Sequence, residues 1–365
     1  MKITREQLVE DRARQARWDH LTRGLNETTR HATEVLMDNM AEEIRLHEGV
    51  TTANVGTFTT YALPLIRRIY PALLAPRIVG TQVMRQPTAK AFWLDSKNAD
   101  GDRLDVAANF DRDYADTVES GTVKEVTFNI SSTTVTAEQK KLKAIWTIES
   151  AQDLPRYHPG LSTMGELLGI VSSEIVREID SEVILDLYTA TDIDAGTTAG
   201  NVNWSATPPA GDTTTADKRA WRETLYDAII DANTQIKTKR YVSGNFIITH
   251  PTNTGRLEKL EGFALAPNAE RRSLSTGTRT VIGSLNGLYD VIEDPWHPYE
   301  YKMLLGHKGL SWLQTGYVFM PYIMAWLSPE VFSTTDFTYA RGMMSRFGRK
   351  KVVGNLYATI TITDT

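Results

Sequence analysis

The chain has 365 residues, of which 41% are hydrophobic and 23% are charged. These fractions are close to the globular averages of about 45–50% and 25%, so neither disorder nor a fibrous repeat is indicated. At about 150 residues per domain, the length predicts roughly two domains, or one large domain with extensions. The net charge of −5 argues against a protein whose main task is nucleic-acid binding, although it leaves room for a local basic patch.

The chain contains no cysteine, which excludes disulfides, thiolate metal sites and cysteine nucleophiles. Its mean hydropathy is −0.31, and no apolar run approaches the ~20 residues of a membrane span. The residues that follow Met1 are mostly charged, where a signal peptide would be apolar. We therefore expect a soluble protein of a cytosol-like compartment, stabilised by core packing or by oligomerisation.

Residues 1–48 are expected to form two helices that are separated near Gly24 and Asn26. The second helix has a thin apolar stripe with a spacing of three to four residues, formed by Ala32, Val35, Leu36, Met40 and Ile44. Because so narrow a stripe cannot bury much of the helix alone, we interpret this region as an arm that lies on something else. The following stretch, residues 61–80, is interrupted by Pro64, Pro71 and Pro76. These prolines exclude one continuous helix and favour short helical turns before a strand at residues 78–84.

Residues 85–146 are predicted to form a long hairpin. Val126, Phe128 and Ile130 alternate with polar residues on the returning strand, and the residues at 92–94 are its expected partners on the outgoing strand. The tip is strongly acidic and includes Asp111 and Asp113. Since isolated two-stranded hairpins are marginal in water, we expect a neighbour to hold this one, either another domain or another copy of the chain.

The strongest helix signal lies between Met164 and Leu187, where apolar residues recur almost without a break every three to four positions. The outer face of this helix is acidic and carries Glu166, Glu174, Glu178, Asp180, Glu182 and Asp186, against Arg177 as the single cation. Such a face has two interpretations, which we weigh evenly: it is solvated, or it contacts a basic partner surface.

A Thr-, Gly- and Pro-rich loop at residues 190–217 precedes an alternation of helices and strands that predicts a compact α/β unit. Within this unit we expect a helix at 218–237, a strand at 244–249, a short helix at 251–260 and further strand at 302–313. The tail, residues 331–365, is expected to be mostly β-strand. We expect its last strand, at 355–363, to return to the unit that contains the long helix.

The sequence contains no phosphate-binding glycine loop, no dinucleotide-binding fingerprint, no nucleophile elbow and no zinc-protease motif. None of the seven histidines forms a pair four residues apart, so no zinc site is expected. The segment from Asp294 to Tyr299 (DPWHPY) fits a ligand groove or a rigid packed loop, and we favour the packed loop. No residue is nominated as catalytic, and no cofactor is expected.

One cluster of cations is conspicuous because no acid interrupts it over eleven residues: Arg341, Arg346, Arg349, Lys350 and Lys351. Phosphate binding requires such a local patch, so nucleic-acid contact is one interpretation. The chain is acidic overall, however, and Met343, Met344 and Phe347 lie among the cations as they would at a protein interface. We therefore favour contact with the acidic helix or the acidic hairpin of a neighbouring subunit.

Two stretches resemble a known family. The first is IYPALL at residues 69–74, followed by IVGTQ at 78–82; the second is LKA at 142–144 and TIESAQDL at 147–154, leading into the long helix. Both are similar to the major capsid proteins of contractile-tailed, myovirus-type bacteriophages. The resemblance covers roughly residues 60–190 well and residues 240–365 more loosely.

Membership of that family implies an α+β chain with the Hong Kong 97 fold. The expected modules are an N-terminal arm (1–60), the start of the P-domain (61–84), the extended E-loop hairpin (85–146), the P-domain spine helix (147–190), the A-domain (191–330) and the closing strands of the P-domain (331–365). The subunit-interface candidates are the acidic Glu174, Glu178, Glu182, Asp111 and Asp113 and the five cations between Arg341 and Lys351. Relatives are often trimmed after a Leu/Ile-x-Glu motif, which Leu46, His47 and Glu48 match before Gly49. Our hypothesis is that the N-terminal helices are nevertheless retained and packed on the inner face.

The resemblance implies a structural function and no enzymatic one. The expected product is an icosahedral head, built from homo-hexamers and enclosing double-stranded DNA that the subunit contacts weakly and non-specifically. Further expected partners are a vertex protein, a portal, a scaffold and decoration proteins, with no membrane involved, in a virion assembled in the host cytoplasm. Two alternatives stay open: the shell protein of an encapsulin-like nanocompartment, and a soluble α/β enzyme with a pocket near His250 or Trp296.

Overall fold

A computed structural model of the chain describes residues 5–47, 65–67, 69–98, 126–157, 163–189, 200–209, 214–266, 279–310 and 314–363. These residues form a mixed α and β structure with a five-stranded sheet, a seven-stranded sheet and a separate two-stranded ladder. In the described part of the chain, no helix is both long enough and apolar enough to cross a bilayer.

The N-terminal region forms the two predicted helices, α1 (Arg5–Thr22) and α2 (Glu27–His47). The predicted stripe is correct, since Leu36 and Met40 of α2 are fully buried. The arm is held by contacts with other parts of the same chain. The Nδ2 atom of Asn39 donates to the carbonyl oxygens of Met84 at 2.8 Å and Tyr322 at 3.0 Å. The described part of the arm therefore packs on the chain's own core.

Residues 65–67 and 69–72 are helical turns, and α3 (Ala75–Ile78) begins with a proline in its first turn. The strand predicted at 78–84 is regular only over β1 (Gly80–Thr81), which runs parallel to β11 (Tyr317–Leu327). Backbone hydrogen bonds to β11 continue beyond β1. The N–H groups of Gln82 and Met84 donate to the carbonyls of residues 319 and 321, both at 3.0 Å.

The predicted hairpin is present, but it is shorter than expected. Strands β2 (Thr88–Asn98) and β3 (Val126–Thr136) pair antiparallel, with Phe92 opposite Ser132 and Leu94 opposite Ile130. The N–H of Ala137 donates to the carbonyl of Pro87 at 2.8 Å and closes the base of the ladder. The next strand, β4 (Glu138–Thr147), instead pairs with β13 (Thr338–Lys351) over ten residues. The expectation that the hairpin extends to residue 146 is therefore wrong.

The long helix is confirmed as α5 (Thr163–Thr189), preceded by α4 (Ile148–Tyr157). Its inner stripe is fully buried at Ile179, Val183, Ile184 and Leu187. The helix packs against the five-stranded sheet, in which β1, β11, β13 and β12 (Val331–Ser333) are neighbours in that order and β4 pairs with β13.

The α/β unit contains α6 (Thr215–Arg240), α7 (Pro251–Leu257) and a seven-stranded sheet. From one edge to the other, its strands are β5 (Asn201–Ser205), β14 (Tyr357–Thr363), β10 (Lys302–Gly306), β6 (Phe246–Thr249), β9 (Tyr289–Glu293), β8 (Thr280–Leu285) and β7 (Phe263–Leu265). The strand expected at 302–313 ends at Gly306.

The last strand, β14, corrects one expectation. It pairs with β10 and β5 in the seven-stranded sheet and does not return to the sheet beneath the long helix. The reason lies in its alternating residues: Ala358, Ile360 and Ile362 are buried in the apolar cluster that α6 contributes to. Only β12 and β13 of the predicted closing strands belong to the five-stranded sheet.

The two sheets share a core. One apolar cluster contains Ile184 and Leu187 of the long helix together with Ile248 and Leu304 of the seven-stranded sheet. The long helix therefore contacts both units, and side chains between them determine how they pack.

Candidate assembly surfaces

The cation-rich segment is not a single surface, because it lies on one strand whose alternate side chains face opposite sides of the sheet. Arg349 faces the long helix. Its Nη1 atom lies 3.2 Å from Oε2 of Glu182 and 3.4 Å from Oδ2 of Asp186, and its Nη2 atom lies 3.6 Å from Oε2 of Glu138. The basic strand and the acidic helix thus meet within one subunit, which differs from the expected contact with the acidic helix or the acidic hairpin of a neighbouring subunit.

Lys140 of β4 joins the same contact. Its ammonium group donates to Glu182 and lies 3.7 Å from Oε1 of Glu178. The hydrogen bond to Glu182 raises the pKa of Lys140, and burial opposes that effect. Lys140 was missed in the sequence because only the pairing of β4 with β13 brings it next to Arg349.

Two further cations of the cluster are buried. Lys351 is 3% exposed, and its Nζ atom donates to the carbonyl of Leu187 at 3.2 Å. A cation in the last turn of a helix also complements the helix dipole. Arg341 is 6% exposed, and its Nε atom donates to the carbonyl of Ser328 at 2.9 Å. Both residues hold the chain's own fold together.

The opposite side of the sheet carries a different set of cations, which we call the basic face: Lys141, Lys143, Arg346 and Lys350. The pairing places Lys143 opposite Gly342 and Lys141 opposite Met344, so these positions share one side with Arg346 and Lys350. Lys141, Lys143 and Lys350 are exposed. The guanidinium of Arg346 lies 5.2 Å from the centre of the Tyr322 ring. On this side of β4 and β13, both of which are described in full, there is no carboxylate.

Apolar side chains adjoin the basic face. Ala340 lies between Val331 and Ile145 in the pairing of the three strands, and the latter two are 61% and 55% exposed. Phe337, in the turn between β12 and β13, is 60% exposed and has a φ of +49°. An exposed apolar patch bordered by polar side chains is a common feature of protein interfaces.

The remaining acidic candidates differ in position. Glu174 forms an ion pair with Arg177 on its own helix, and the side chain of Glu178 is 58% exposed. Asp111, Asp113, Glu48 and Gly49 lie outside the described residues, as does most of the acidic hairpin tip.

The DPWHPY segment is a packed loop, as favoured. The centre of the Trp296 ring lies 5.0 Å from the guanidinium of Arg177 and 5.6 Å from that of Arg279. His297 is 7% exposed, its Nε2 atom lies 3.0 Å from the hydroxyl of Tyr188, and burial lowers its pKa. Over the described ranges, no three His, Asp or Glu side chains converge in a way that could hold a metal ion.

Comparison with known proteins gives a family match, two curated relatives and a similar solved structure. Residues 55–122 and 108–365 match the family described as the major capsid protein Gp23. The chain is 26% identical to the major capsid protein of Vibrio phage KVP40 over 214 residues, which cover 54% of this chain and 40% of that protein. It is 27% identical to the major capsid protein of Enterobacteria phage T4 over 234 residues, covering 61% and 44%. The matched region thus spans less than half the length of either relative. Among solved structures, the capsid of Myoviridae phage XM1 is 12% identical, with a TM-score of 0.45 over 78% of this chain and 89% of that one.

Proposed function

The chain belongs to the family of the major capsid protein Gp23, and from this premise we propose that it is the repeating structural subunit of a bacteriophage head. The observation that carries the proposal is the family match, which extends from residue 55 to the C-terminus. The curated relatives are major capsid proteins and not enzymes. The same match confirms the resemblance seen in the sequence and sets aside the alternative of a soluble α/β enzyme.

We further propose the Hong Kong 97 arrangement for this subunit, with module boundaries adapted to the strand pairing. The arm is α1 and α2, and the E-loop is the β2–β3 hairpin. The P-domain comprises the five-stranded sheet with the long helix, and the A-domain comprises the seven-stranded sheet with α6 and α7. This assignment moves β14 to the A-domain, since its hydrogen bonds go to β10 and β5.

In the proposed lattice of hexamers, the acidic hairpin tip of one subunit lies on the basic face of the next. Between residues 99 and 125, eight acids against three cations leave a net charge of −5. Lys141, Lys143 and Lys350 expose the opposite charge on the side of β4 and β13 that carries no carboxylate within those two strands. Complementary charge of this kind suppresses wrong pairings and sets the register of two surfaces.

The direction of the hairpin supports a partner in another copy. Trp93 is buried against the five-stranded sheet with Met320 and Val353. The ladder continues for five residues to Asn98. At ~3.4 Å per residue, the described part of the ladder therefore reaches about 17 Å beyond Trp93, directed away from its own base. The exposed Val331, Ile145 and Phe337 would add apolar area to the same contact.

The other expected interface residues are assigned either to a subunit interface or to stability of the subunit, according to where they lie in the fold. Glu174 and Glu178 are proposed to face a neighbouring subunit from the outer side of the long helix. Arg341, Arg349 and Lys351 are assigned to stability of the subunit, because their contacts lie within the chain.

Several features rest on the family alone. These are assembly in the host cytoplasm into a virion, weak non-specific contact with packaged DNA, and the vertex, portal, scaffold and decoration proteins. The family motif for cleavage ends at Glu48, and we keep the hypothesis that the N-terminal helices are nevertheless retained. The second candidate, an encapsulin-like shell, shares the prediction of self-assembly. DNA that copurifies with the particles and resists nuclease would favour the phage head.

Sedimentation and negative-stain microscopy of the expressed full chain test the proposal. Closed particles or hexamers are expected, whereas a stable 40.9 kDa monomer at all concentrations would contradict it. Changing Lys141, Lys143 and Lys350 together to Glu is expected to abolish assembly and leave a folded subunit. A matched control changes three exposed lysines elsewhere to Glu, namely Lys218, Lys237 and Lys259, and is expected to assemble. Equal assembly of both variants would refute the role of the basic face while leaving the shell function intact.

A further inference from the structure

Three charged side chains are buried where the long helix meets the seven-stranded sheet. Arg279, just before β8, lies between Asp180 of the long helix and Asp294, just after β9. Its Nη1 atom is 3.3 Å from Oδ2 of Asp180, and its Nε atom is 2.9 Å from Oδ1 of Asp294. The three side chains are 6%, 1% and 0% exposed respectively. Ionised, this cluster holds two negative charges against one positive charge.

Asp180 also connects to a third element. Its oxygens accept the backbone N–H of Leu74 at 2.9 and 3.1 Å and that of Ala75 at 3.1 Å, at the start of α3. One carboxylate thus ties α3 to the long helix and, through Arg279, both of them to the seven-stranded sheet.

Among the described residues, the other charged groups near the junction have partners of their own. Lys308, for example, donates to the carbonyl of Pro76 in α3. The Nη2 atom of Arg279 lies 3.0 Å from the hydroxyl of Ser181, and its guanidinium lies 5.6 Å from the centre of the Trp296 ring. The guanidinium of Arg177 lies 5.0 Å from the centre of the same ring and pairs with Glu174. On the Asp294 side, the titratable groups include His297 and Tyr188; burial lowers the pKa of His297 and raises that of Tyr188. Oδ2 of Asp294 has no hydrogen-bond partner among the described residues.

We propose that this cluster is a proton-sensitive junction, in which one proton on Asp180 balances the buried charge and holds the long helix more tightly to the seven-stranded sheet. Loss of that proton leaves an uncompensated charge in a dry environment and favours local opening, which hydrates the carboxylate. The junction would therefore link pH to the relative position of the two units.

Whether the junction opens or closes as pH rises follows from the pKa of Asp180 in the closed and the open state. In the closed junction, burial raises the pKa of Asp180 to about 6; Arg279 and the N–H groups of Leu74 and Ala75 oppose this, and Asp294 adds to it. In an open, hydrated junction the pKa returns towards its ordinary value of 3.8. The closed state thus binds more protons between these values, so opening becomes easier as pH rises. From pH 5 to pH 7.5 the opening equilibrium is expected to increase about tenfold through Asp180. His297 acts in the opposite sense, because its lowered pKa makes the open state the better proton acceptor.

Hydrogen exchange of the purified full chain, read by mass spectrometry, tests the proposal. Protection of the amides at residues 69–81 and 279–293, corrected for intrinsic exchange rates, is compared at pH 5 and pH 7.5. The wild-type protein is compared with Asp180→Asn, which keeps the size and loses the titration. Between pH 5 and pH 7.5, the opening equilibrium constant is expected to increase about tenfold more in the wild type than in Asp180→Asn. The contribution of His297 is the same in both proteins and cancels in this comparison. The control Glu178→Gln, an exposed carboxylate on the same helix, is expected to behave like the wild type.

Equal pH responses of the wild type and Asp180→Asn would overturn the proposal. If Asp180→Asn does not fold, His297→Gln provides a second test, because it removes the opposing titration of His297 and keeps Asp180. The opening equilibrium of that variant is expected to increase about tenfold from pH 5 to pH 7.5, and opening that does not change with pH would also overturn the proposal. Neither result bears on assembly, so the junction and the shell function are tested separately.

Discussion

Replacing Arg279 with Met is expected to be one of the most destabilising single changes in this chain. The substitution keeps an unbranched apolar side chain next to Trp296 and removes the guanidinium. Asp180 and Asp294 are then left as buried carboxylates, 1% and 0% exposed, without a cation. Breaking a buried pair by removing one partner typically costs about 3–5 kcal/mol.

The same substitution at Arg219 provides the control. Arg219 pairs with Glu261 at the surface, where the two side chains are 64% and 71% exposed. An exposed pair contributes about 0–1 kcal/mol. Equilibrium urea unfolding of the unassembled full chain at pH 7.5 measures both variants. If the loss of stability in Arg279→Met were within about 1 kcal/mol of that in Arg219→Met, the argument for a buried ionic junction would be refuted.

Two further substitutions test how the arm and the hairpin are attached. Asn39→Ala removes the donor to the carbonyls of Met84 and Tyr322, so a loss of about 1–3 kcal/mol and faster tryptic cleavage within α2 are expected; cleavage at the wild-type rate would show that the arm is held elsewhere. Gly348→Val places a Cβ 2.7 Å from Cγ1 of Val135, beneath the hairpin base. A loss of about 1–3 kcal/mol is expected in urea unfolding, and an unchanged midpoint would contradict this close contact.

Local periodicity was sufficient to predict elements that repeat over many residues. The long helix was predicted to within one or two residues at each end, because its apolar stripe continues over seven turns. The strands of the hairpin followed from alternation in the same way. The end of the hairpin could not be predicted in this way. It is determined by the pairing of β4 with β13, which lies nearly 200 residues later in the chain.

The cation-rich segment shows what the sequence could not provide. Its composition indicated one basic patch, but strand geometry separates Arg349 and Lys351 from Arg346 and Lys350. The first pair contacts the long helix and the second pair lies on the basic face. Which side faced the helix depended on long-range pairing and could not be read from neighbouring residues.

The buried junction was beyond sequence analysis for a related reason. Asp180 looked like one of several carboxylates on an acidic helix face. Arg279 lies about a hundred residues away and gave no periodic signal. Asp294 belonged to a segment that we interpreted through its prolines and aromatic residues. Only the fold places the three side chains together.

Electron cryomicroscopy of the assembled full chain tests the central claim most directly. The expected result is a closed shell in which residues 99–125 of each subunit lie on Lys141, Lys143 and Lys350 of a neighbour. A shell whose hairpins contact a different surface would contradict the proposed interface. A preparation that contains only monomers under all assembly conditions would contradict the function itself.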